Sequence, residues 1–225
     1  MEEIAVAGGW AHRHVVALTL ALSGSAASAM GGFFDVDDAT VLAPERCQVE
    51  TWAMRSESVR LAHVGPGCRV GPLEISVTFE RLSRDERTDR IAGAALKAVT
   101  GWLPDVDVGL VGAASRDTTS GVNLLTAYVP VTWSVSSAVQ LHANLGADRL
   151  GEHGATKRLG IAGEWALDER FTLLAERLDA LDLIVTRIGL RMALGEQASI
   201  DVGGARISGS GSRLWGLGLT FEFGR

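Results

Sequence analysis

The chain has 225 residues, 47% of them hydrophobic, and a net charge of −6 at pH 7. The acidic balance argues against nucleic acid as a partner, because nucleic-acid-binding surfaces are basic. Its mean hydropathy of +0.18 is high for a soluble domain. Yet no apolar run approaches the ~18 residues that a transmembrane helix needs. Apolar and polar residues alternate in short segments instead, a pattern compatible with a membrane-spanning β-barrel.

Residues 1–29 are predicted to be a cleavable signal peptide. Arg13 precedes the apolar run 15–22, and Ala27-Ser28-Ala29 form an A-x-A cleavage site before Met30. The alternative, a membrane anchor, fails because an apolar helix of this length cannot cross a hydrocarbon core of ~30 Å. We therefore expect export, followed by a periplasmic N-terminal segment over 30–45 and a barrel over 46–223.

Three aspartates, Asp35, Asp37 and Asp38, fall within the predicted N-terminal segment. Their carboxylates could bind calcium, but the segment lacks the ligand and glycine spacing of a calcium loop. The sequence therefore predicts a solvated periplasmic segment here, with no metal site.

The two cysteines, Cys47 and Cys68, flank a short polar turn near Glu57 and Ser58. A hairpin centred on that turn places the cysteines directly opposite each other. The same register sets Val49, Thr51 and Ala53 against Pro66, Val64 and Ala62. Export into an oxidising compartment then favours a disulfide over two free thiols.

Turn residues divide the rest of the chain into short segments of even length. With the two strands of the cysteine hairpin, they predict about twelve strands (10–12). Residues 168–194 and 89–102 also fit amphipathic helices, so an α+β periplasmic domain is the alternative. The longest predicted loop is 147–157. The predicted strands after the hairpin are Leu73–Arg81, Ile91–Leu103, Val106–Ser115, Leu124–Trp133, Val139–Gly146, Arg158–Ala166, Phe171–Leu178, Leu183–Leu194, Ser199–Arg206 and Arg213–Phe223.

The last of these segments has a large apolar residue at every second position: Trp215, Leu217, Leu219, Phe221 and Phe223. This segment resembles the C-terminal strand of bacterial outer-membrane β-barrels, although there the aromatic is usually the final residue. The resemblance implies an all-β, antiparallel transmembrane barrel of the small porin or transporter type, with no specific characterised family singled out. It also implies a location in the outer membrane of a Gram-negative cell and contact with the barrel-assembly machinery.

Tryptophans recur at equivalent places in the predicted barrel. Trp102, Trp133 and Trp165 each end an even-numbered strand, as expected for an aromatic girdle at the membrane interface. Trp215, Phe221 and Phe223 are assigned to the girdle and to the assembly strand. A soluble β protein would not need tryptophans at matching heights.

Alternation also assigns polar residues to the inside of the barrel. They either pair across the lumen and plug it or line a narrow wet path, because twelve strands lie between filled and open barrels. The predicted lumen-facing residues are Glu50, His63, Glu74, Glu80, Lys97, Gln140, His142, Asn144, Glu164, Glu176, Arg187, Arg191, Asp201 and Glu222.

One segment, 141–146, looks like a degenerate form of the site in outer-membrane phospholipase. His142 stands in the place of the catalytic histidine, but Asn144 occupies the place of the serine nucleophile. Acyl transfer needs an activated hydroxyl beside the base. The sequence therefore predicts no enzymatic activity, and no cofactor.

The leading functional hypothesis is a narrow outer-membrane pore or transporter for small polar solutes. A closed structural or adhesive envelope barrel is the first alternative, and a soluble periplasmic β-rich binding protein is the second. The sequence leaves the solute and the oligomeric state open.

Overall fold

The computed structural model describes residues 34–84, 87–209 and 211–224. The predicted signal peptide lies outside the described residues, so its cleavage stays a prediction. Twelve strands account for most of the described chain. They are β1 (Arg46–Arg55), β2 (Val59–Val70), β3 (Leu73–Arg84), β4 (Arg87–Leu103), β5 (Val106–Asp117), β6 (Asn123–Ser134), β7 (Val139–Leu150), β8 (Thr156–Ala166), β9 (Phe171–Ala180), β10 (Leu183–Ala193), β11 (Ala198–Ile207) and β12 (Arg213–Gly224).

The strands form a closed antiparallel barrel in which each strand pairs with its neighbours in sequence. β1 closes the ring on β12, with Arg46 opposite Gly224 and Arg55 opposite Trp215. Closure pairs the backbone of both terminal strands and leaves no sheet edge. The predicted all-β barrel of about twelve strands is confirmed.

The alternative helix over 168–194 is wrong, since this region forms β9 and β10, joined by a tight turn at Leu181 and Asp182. Its helical spacing has a simple cause. Leu174 and Leu178 point into an apolar part of the barrel interior, while apolar residues also occupy the outer face. When both faces of a strand are apolar, the period of two is masked.

The charged stretch that the sequence assigned to the longest loop is partly strand. β7 continues to Leu150 and β8 begins at Thr156, so the predicted loop over 147–157 shrinks to 151–155. Asp148 is buried, accepts a hydrogen bond from Thr126 Oγ1 at 2.7 Å and lies beside Arg158, whereas Arg149 and Lys157 are exposed. Charge therefore marks strand positions here, not a turn.

The outer wall is apolar over most of its height. Trp102, Trp133 and Trp165 are exposed near the end of the barrel where β1 begins and β12 ends, whereas Trp215 is 70% exposed near the opposite end. Exposed apolar side chains between these levels include Val77, Phe79, Leu96, Ile161, Ile188, Leu217 and Phe221. A belt of this kind suits contact with lipid rather than with water.

Cys47 and Cys68 form a disulfide, as predicted. The strand register is also the predicted one: Cys47 lies opposite Cys68, and Val49, Thr51 and Ala53 lie opposite Pro66, Val64 and Ala62. The disulfide therefore cross-links β1 and β2 close to the end of the barrel where β1 begins.

A cluster of buried apolar side chains fills the part of the interior farthest from the start of β1 and the end of β12. Trp52, Met54, Leu61, Leu174 and Leu214 belong to it. Phe34 and Val36, which precede the first strand, are part of the same cluster. Across the described ranges, no helix has the length and apolar character needed to span a membrane.

Replacing Ile161 with arginine tests the assignment of the outer wall. Ile161 lies in the middle of β8 and is 63% exposed. An arginine at the bilayer midplane costs about 2–4 kcal/mol, so Ile161→Arg should reduce the fraction of protein recovered as folded barrel in membranes. Heat-modifiable gel migration measures that fraction. Ile161→Val is the control, and equal folding of both variants would contradict a lipid-facing β8.

Candidate functional site

The barrel interior contains the candidate site, because ionisable side chains from most of the strands are buried there. All fourteen residues predicted to face the lumen are buried or half-buried. That they line a path for solutes stays a prediction. Those that are half-buried are Gln140, Glu164, Arg191 and Glu222. Those that are buried are Glu50, His63, Glu74, Glu80, Lys97, His142, Asn144, Glu176, Arg187 and Asp201.

The expectation of a solvated segment before the first strand is wrong for residues 34–42. Asp35, Asp37 and Asp38 are buried, and Asp37 is only 2% exposed. The segment lies inside the barrel because the inner wall supplies partners for both its backbone and its carboxylates. We call residues 34–42 the luminal segment.

Side chains of the wall accept hydrogen bonds from the backbone of the luminal segment. The Glu176 carboxylate accepts from the N–H groups of Asp35 and Val36, with distances of 2.8–3.1 Å. Thr132 Oγ1 accepts from Ala39 N at 2.7 Å, and Glu74 Oε2 accepts from Leu42 N at 2.8 Å. The segment thus has its main chain satisfied by strands from different sides of the barrel.

Asn144 of β7 makes the most specific of these backbone contacts. Its Oδ1 accepts from Asp37 N at 2.8 Å, and its Nδ2 donates to Asp37 O at 2.7 Å. One amide side chain therefore pairs both polar groups of a single residue, as a neighbouring strand would. Asn144, which stands where the phospholipase resemblance would need a nucleophile, holds the luminal segment instead.

The carboxylates of the segment are bound by basic residues of the wall. Lys97 Nζ lies 2.9 Å from Asp37 Oδ1 and 3.0 Å from Asp38 Oδ1. Tyr128 donates its hydroxyl proton to Asp37 Oδ2 at 3.1 Å. Buried charges are tolerated only when they are paired and hydrogen-bonded. Lys97 therefore depends on the segment for its buried ionic partners.

A second basic group lies deeper along the segment. Arg187 contacts the carboxylates of both Asp35 and Glu176. Arg158 Nη2 donates to Asp35 O at 3.3 Å, and its guanidinium lies 5.1 Å from the centre of the Tyr128 ring. Sequence reasoning missed Arg158, Asp148 and Tyr128. Extending the alternation of β7 through the predicted loop would have found Asp148. Following the inward positions of β8 back from Glu164 to the first residue of that predicted strand would have found Arg158.

Two wall glycines make room for the apolar side chains of the segment. A Cβ atom at Gly160 would lie 2.8 Å from Val36 Cγ2, and one at Gly189 would lie 2.9 Å from Phe34 Cζ. These distances are shorter than contacts between real carbon atoms allow. The wall is therefore complementary to the luminal segment in shape as well as in charge.

Other interior residues find partners on the wall itself. Arg191 Nε donates to Asp201 Oδ1 at 2.8 Å. His63 lies 2.8 Å from Glu80 Oε1 and stacks on Trp52 with ring centroids 4.7 Å apart. These contacts are independent of the luminal segment.

His142 faces the interior, in contact with the wall around the luminal segment. Its Nδ1 lies 2.9 Å from Thr132 Oγ1, the atom that accepts from Ala39 N, and its Nε2 lies 3.8 Å from Glu164 Oε1. It thus supports the residue that binds the segment.

Solved structures with the same architecture are outer-membrane barrels. The KdgM porin, solved in complex with disordered oligogalacturonate, superposes with a TM-score of 0.67 at 9% identity, over 78% of this chain and 99% of that chain. The NanC porin gives 0.64 at 8% identity, over 78% and 98%. Omp33 of Acinetobacter baumannii gives 0.51 at 10% identity, over 80% and 98%. The fold is that of the outer-membrane porin barrels.

The family described as "Uncharacterised conserved protein UCP029691" matches residues 17–223, and the chain belongs to it. A comparison with curated protein sequences finds no match.

Replacing Asn144 with alanine tests how the luminal segment is held. Asn144→Ala leaves Asp37 N–H and C=O without their partner, at a cost of about 1–3 kcal/mol for each buried group. Hydrogen exchange over residues 34–42 should therefore become faster. Asn123→Ala is the matched control, since Asn123 only accepts from Arg116 at the exposed rim. Unchanged exchange in Asn144→Ala would contradict the contacts described.

Proposed function

We propose that the protein is an outer-membrane channel for small polar solutes whose lumen is closed by its own residues 34–42. One observation carries the proposal. The inner wall presents Lys97, Arg187 and Asn144 to a segment that belongs to no strand and is joined to the barrel at Arg46. A segment that is held only by contacts with a polar wall can close the lumen while it is bound and leave a lumen that water can enter when it is displaced.

The nature of the contacts supports displacement of the segment. Exchange for water changes stability by about 0.5–1.5 kcal/mol for each hydrogen bond between neutral groups and by about 1.5–3 kcal/mol for each bond to a charged group. A barrel that is permanently closed gains more from apolar packing, which is often neutral or stabilising relative to buried ion pairs. Leaving the lumen replaces the contacts of Asp35, Asp37 and Asp38 with water, and the wall groups that they leave can hydrate as well.

The environment follows from the outer wall. Its belt of exposed apolar side chains and its tryptophans favour outer-membrane lipid as the surrounding medium. The alternating aromatic strand at the C terminus, β12, supports recognition by the barrel-assembly machinery. Two of the proteins with the same architecture, KdgM and NanC, are porins, and this likeness of fold supports a channel function.

A closed envelope barrel is the second candidate, and the apolar cluster favours it. Trp52, Met54, Leu61 and Leu214 fill the interior beyond the luminal segment. Phe34 and Val36 complete this packing. For a channel to open, departure of these two side chains must loosen the cluster enough for water to pass.

Locking the segment distinguishes the two candidates. A Cβ atom at Gly160 would lie 2.8 Å from Val36 Cγ2. This distance is short enough for a disulfide to form in the double variant Val36→Cys/Gly160→Cys. Purified protein in planar bilayers should show single-channel steps in the unlocked state. The oxidised double variant should show few or none, and reduction should restore them.

Both single-cysteine variants and the wild type, each measured with and without reductant, control for the native bond between Cys47 and Cys68. Steps that persist in the oxidised double variant would show that the segment does not close the channel. No steps in any reduced protein would leave the closed envelope barrel as the function.

A further inference from the structure

The outer wall carries an unbroken series of six exposed arginines at the end opposite the start of β1 and the end of β12. They lie on six consecutive strands of the ring, from β11 through β12 and β1 to β4. Their outward direction follows from their exposure and from the buried residues that alternate with them. We call this series the arginine arc, and its members are Arg206, Arg213, Arg55, Arg60, Arg81 and Arg90.

The register makes each arginine a neighbour of the next. Arg206 lies directly opposite Arg213, Arg55 opposite Arg60, and Arg81 opposite Arg90. Directly opposite Cβ atoms are roughly 4.5–5.5 Å apart, and diagonal neighbours roughly 7–8 Å.

Diagonal steps join these three pairs. Arg55 lies opposite Trp215, two residues beyond Arg213, and Arg81 lies opposite Ala62, two residues beyond Arg60. The charges therefore follow one continuous line around half of the barrel.

Like charges directly opposite one another destabilise a sheet. Two other basic residues at this end have acidic partners: Lys157 lies 2.6 Å from Asp179, and Arg84 lies 2.7 Å from Asp89. Within the described ranges, no carboxylate lies within 4.0 Å of any arginine of the arc. Three adjacent pairs of like charge without a carboxylate partner among the described residues favour binding of an anion from outside the chain.

The surroundings of the arc are apolar on one side. Trp215 stands between Arg213 and Arg55, and Leu217 follows it down the wall, where it is exposed. Arg55, Arg60, Arg81, Trp215 and Leu217 line a shallow groove with a volume of about 860 Å³. The groove thus joins cationic side chains to the apolar belt.

We propose that the arginine arc binds the phosphate-bearing headgroups of lipids in the adjacent leaflet. Guanidinium groups bind phosphate through two parallel hydrogen bonds, and neighbouring guanidiniums can share one phosphate. A lipid fits better than a free anion, because its acyl chains lie along Leu217 and the apolar wall below. Its headgroup is then held at the height of the arginines. This inference stands apart from conduction by the lumen.

Titration with a phosphorylated glycolipid tests the proposal. Purified barrel in neutral detergent is titrated with lipid A, which carries phosphate esters, and with the same lipid after removal of its phosphates. Wild-type protein should bind lipid A at least about tenfold more tightly than the dephosphorylated lipid. The variant Arg55→Gln/Arg60→Gln/Arg81→Gln should lose that difference.

The matched control, Arg149→Gln/Lys157→Gln/Arg177→Gln, removes the same number of exposed charges from the same end but outside the arc. It should bind lipid A like the wild type. Equal binding by the arc variant and the wild type, or equal loss in the control, would overturn the proposal. So would inorganic phosphate competing at concentrations comparable with lipid A, because the ligand would then be a free anion.

Thermal unfolding gives an independent readout that a purely structural role would not move in the same way. Without lipid, the arc variant should unfold at a temperature no lower than the wild type, because repulsion within the arc is relieved. With lipid A, the wild type should gain stability and the arc variant should not. If the triple variant lacks the folded band on gels, Arg60→Gln and Arg81→Gln replace it, each with weaker lipid A binding expected. Equal stabilisation of wild type and variant by lipid A would overturn the proposal.

Discussion

Closure of the sheet is the constraint on which everything else in this structure depends. The pairing of β1 with β12 satisfies the backbone of the two strands that would otherwise be edges. An open edge is not tolerated in a hydrocarbon environment, where no water is present to replace the missing partners. Once the ring is closed, the side chains of each strand point either into the lumen or to the outer wall. The sequence must therefore supply residues suited to each of these two environments.

The inner direction explains why so many ionisable groups are buried without collapse of the fold. Arg191 pairs with Asp201 across neighbouring strands, and Arg158 pairs with Asp148. Lys97 differs, because Asp37 and Asp38 of the luminal segment bind it. The outer direction follows the opposite rule: apolar side chains cover the wall, and basic residues collect at one end. Inside, protein carboxylates balance the cations, whereas the arginine arc faces outward with no carboxylate partner among the described residues.

Much of the barrel was predictable because its signals are local. The hairpin register that brings Cys47 opposite Cys68 follows from one turn, and the girdle tryptophans follow from counting strands. The end of β7 was missed because Asp148 looks like a loop residue until Arg158 is its partner. The role of Asp35, Asp37 and Asp38 was missed for the same reason, since their partners on the wall lie 59 to 152 residues further along the chain.

The sequence by itself determined the alternation, and with it the class of fold, the disulfide and the two faces of each strand. A period of two needs only neighbouring residues to be recognised. The tertiary structure alone decided what fills the lumen and where unpaired charge remains. Both depend on which residues the closed ring brings together: Asn144 with the peptide of Asp37 inside, and Arg55 of β1 with Trp215 and Arg213 of β12 outside. Such contacts join distant parts of the chain, so no local pattern encodes them.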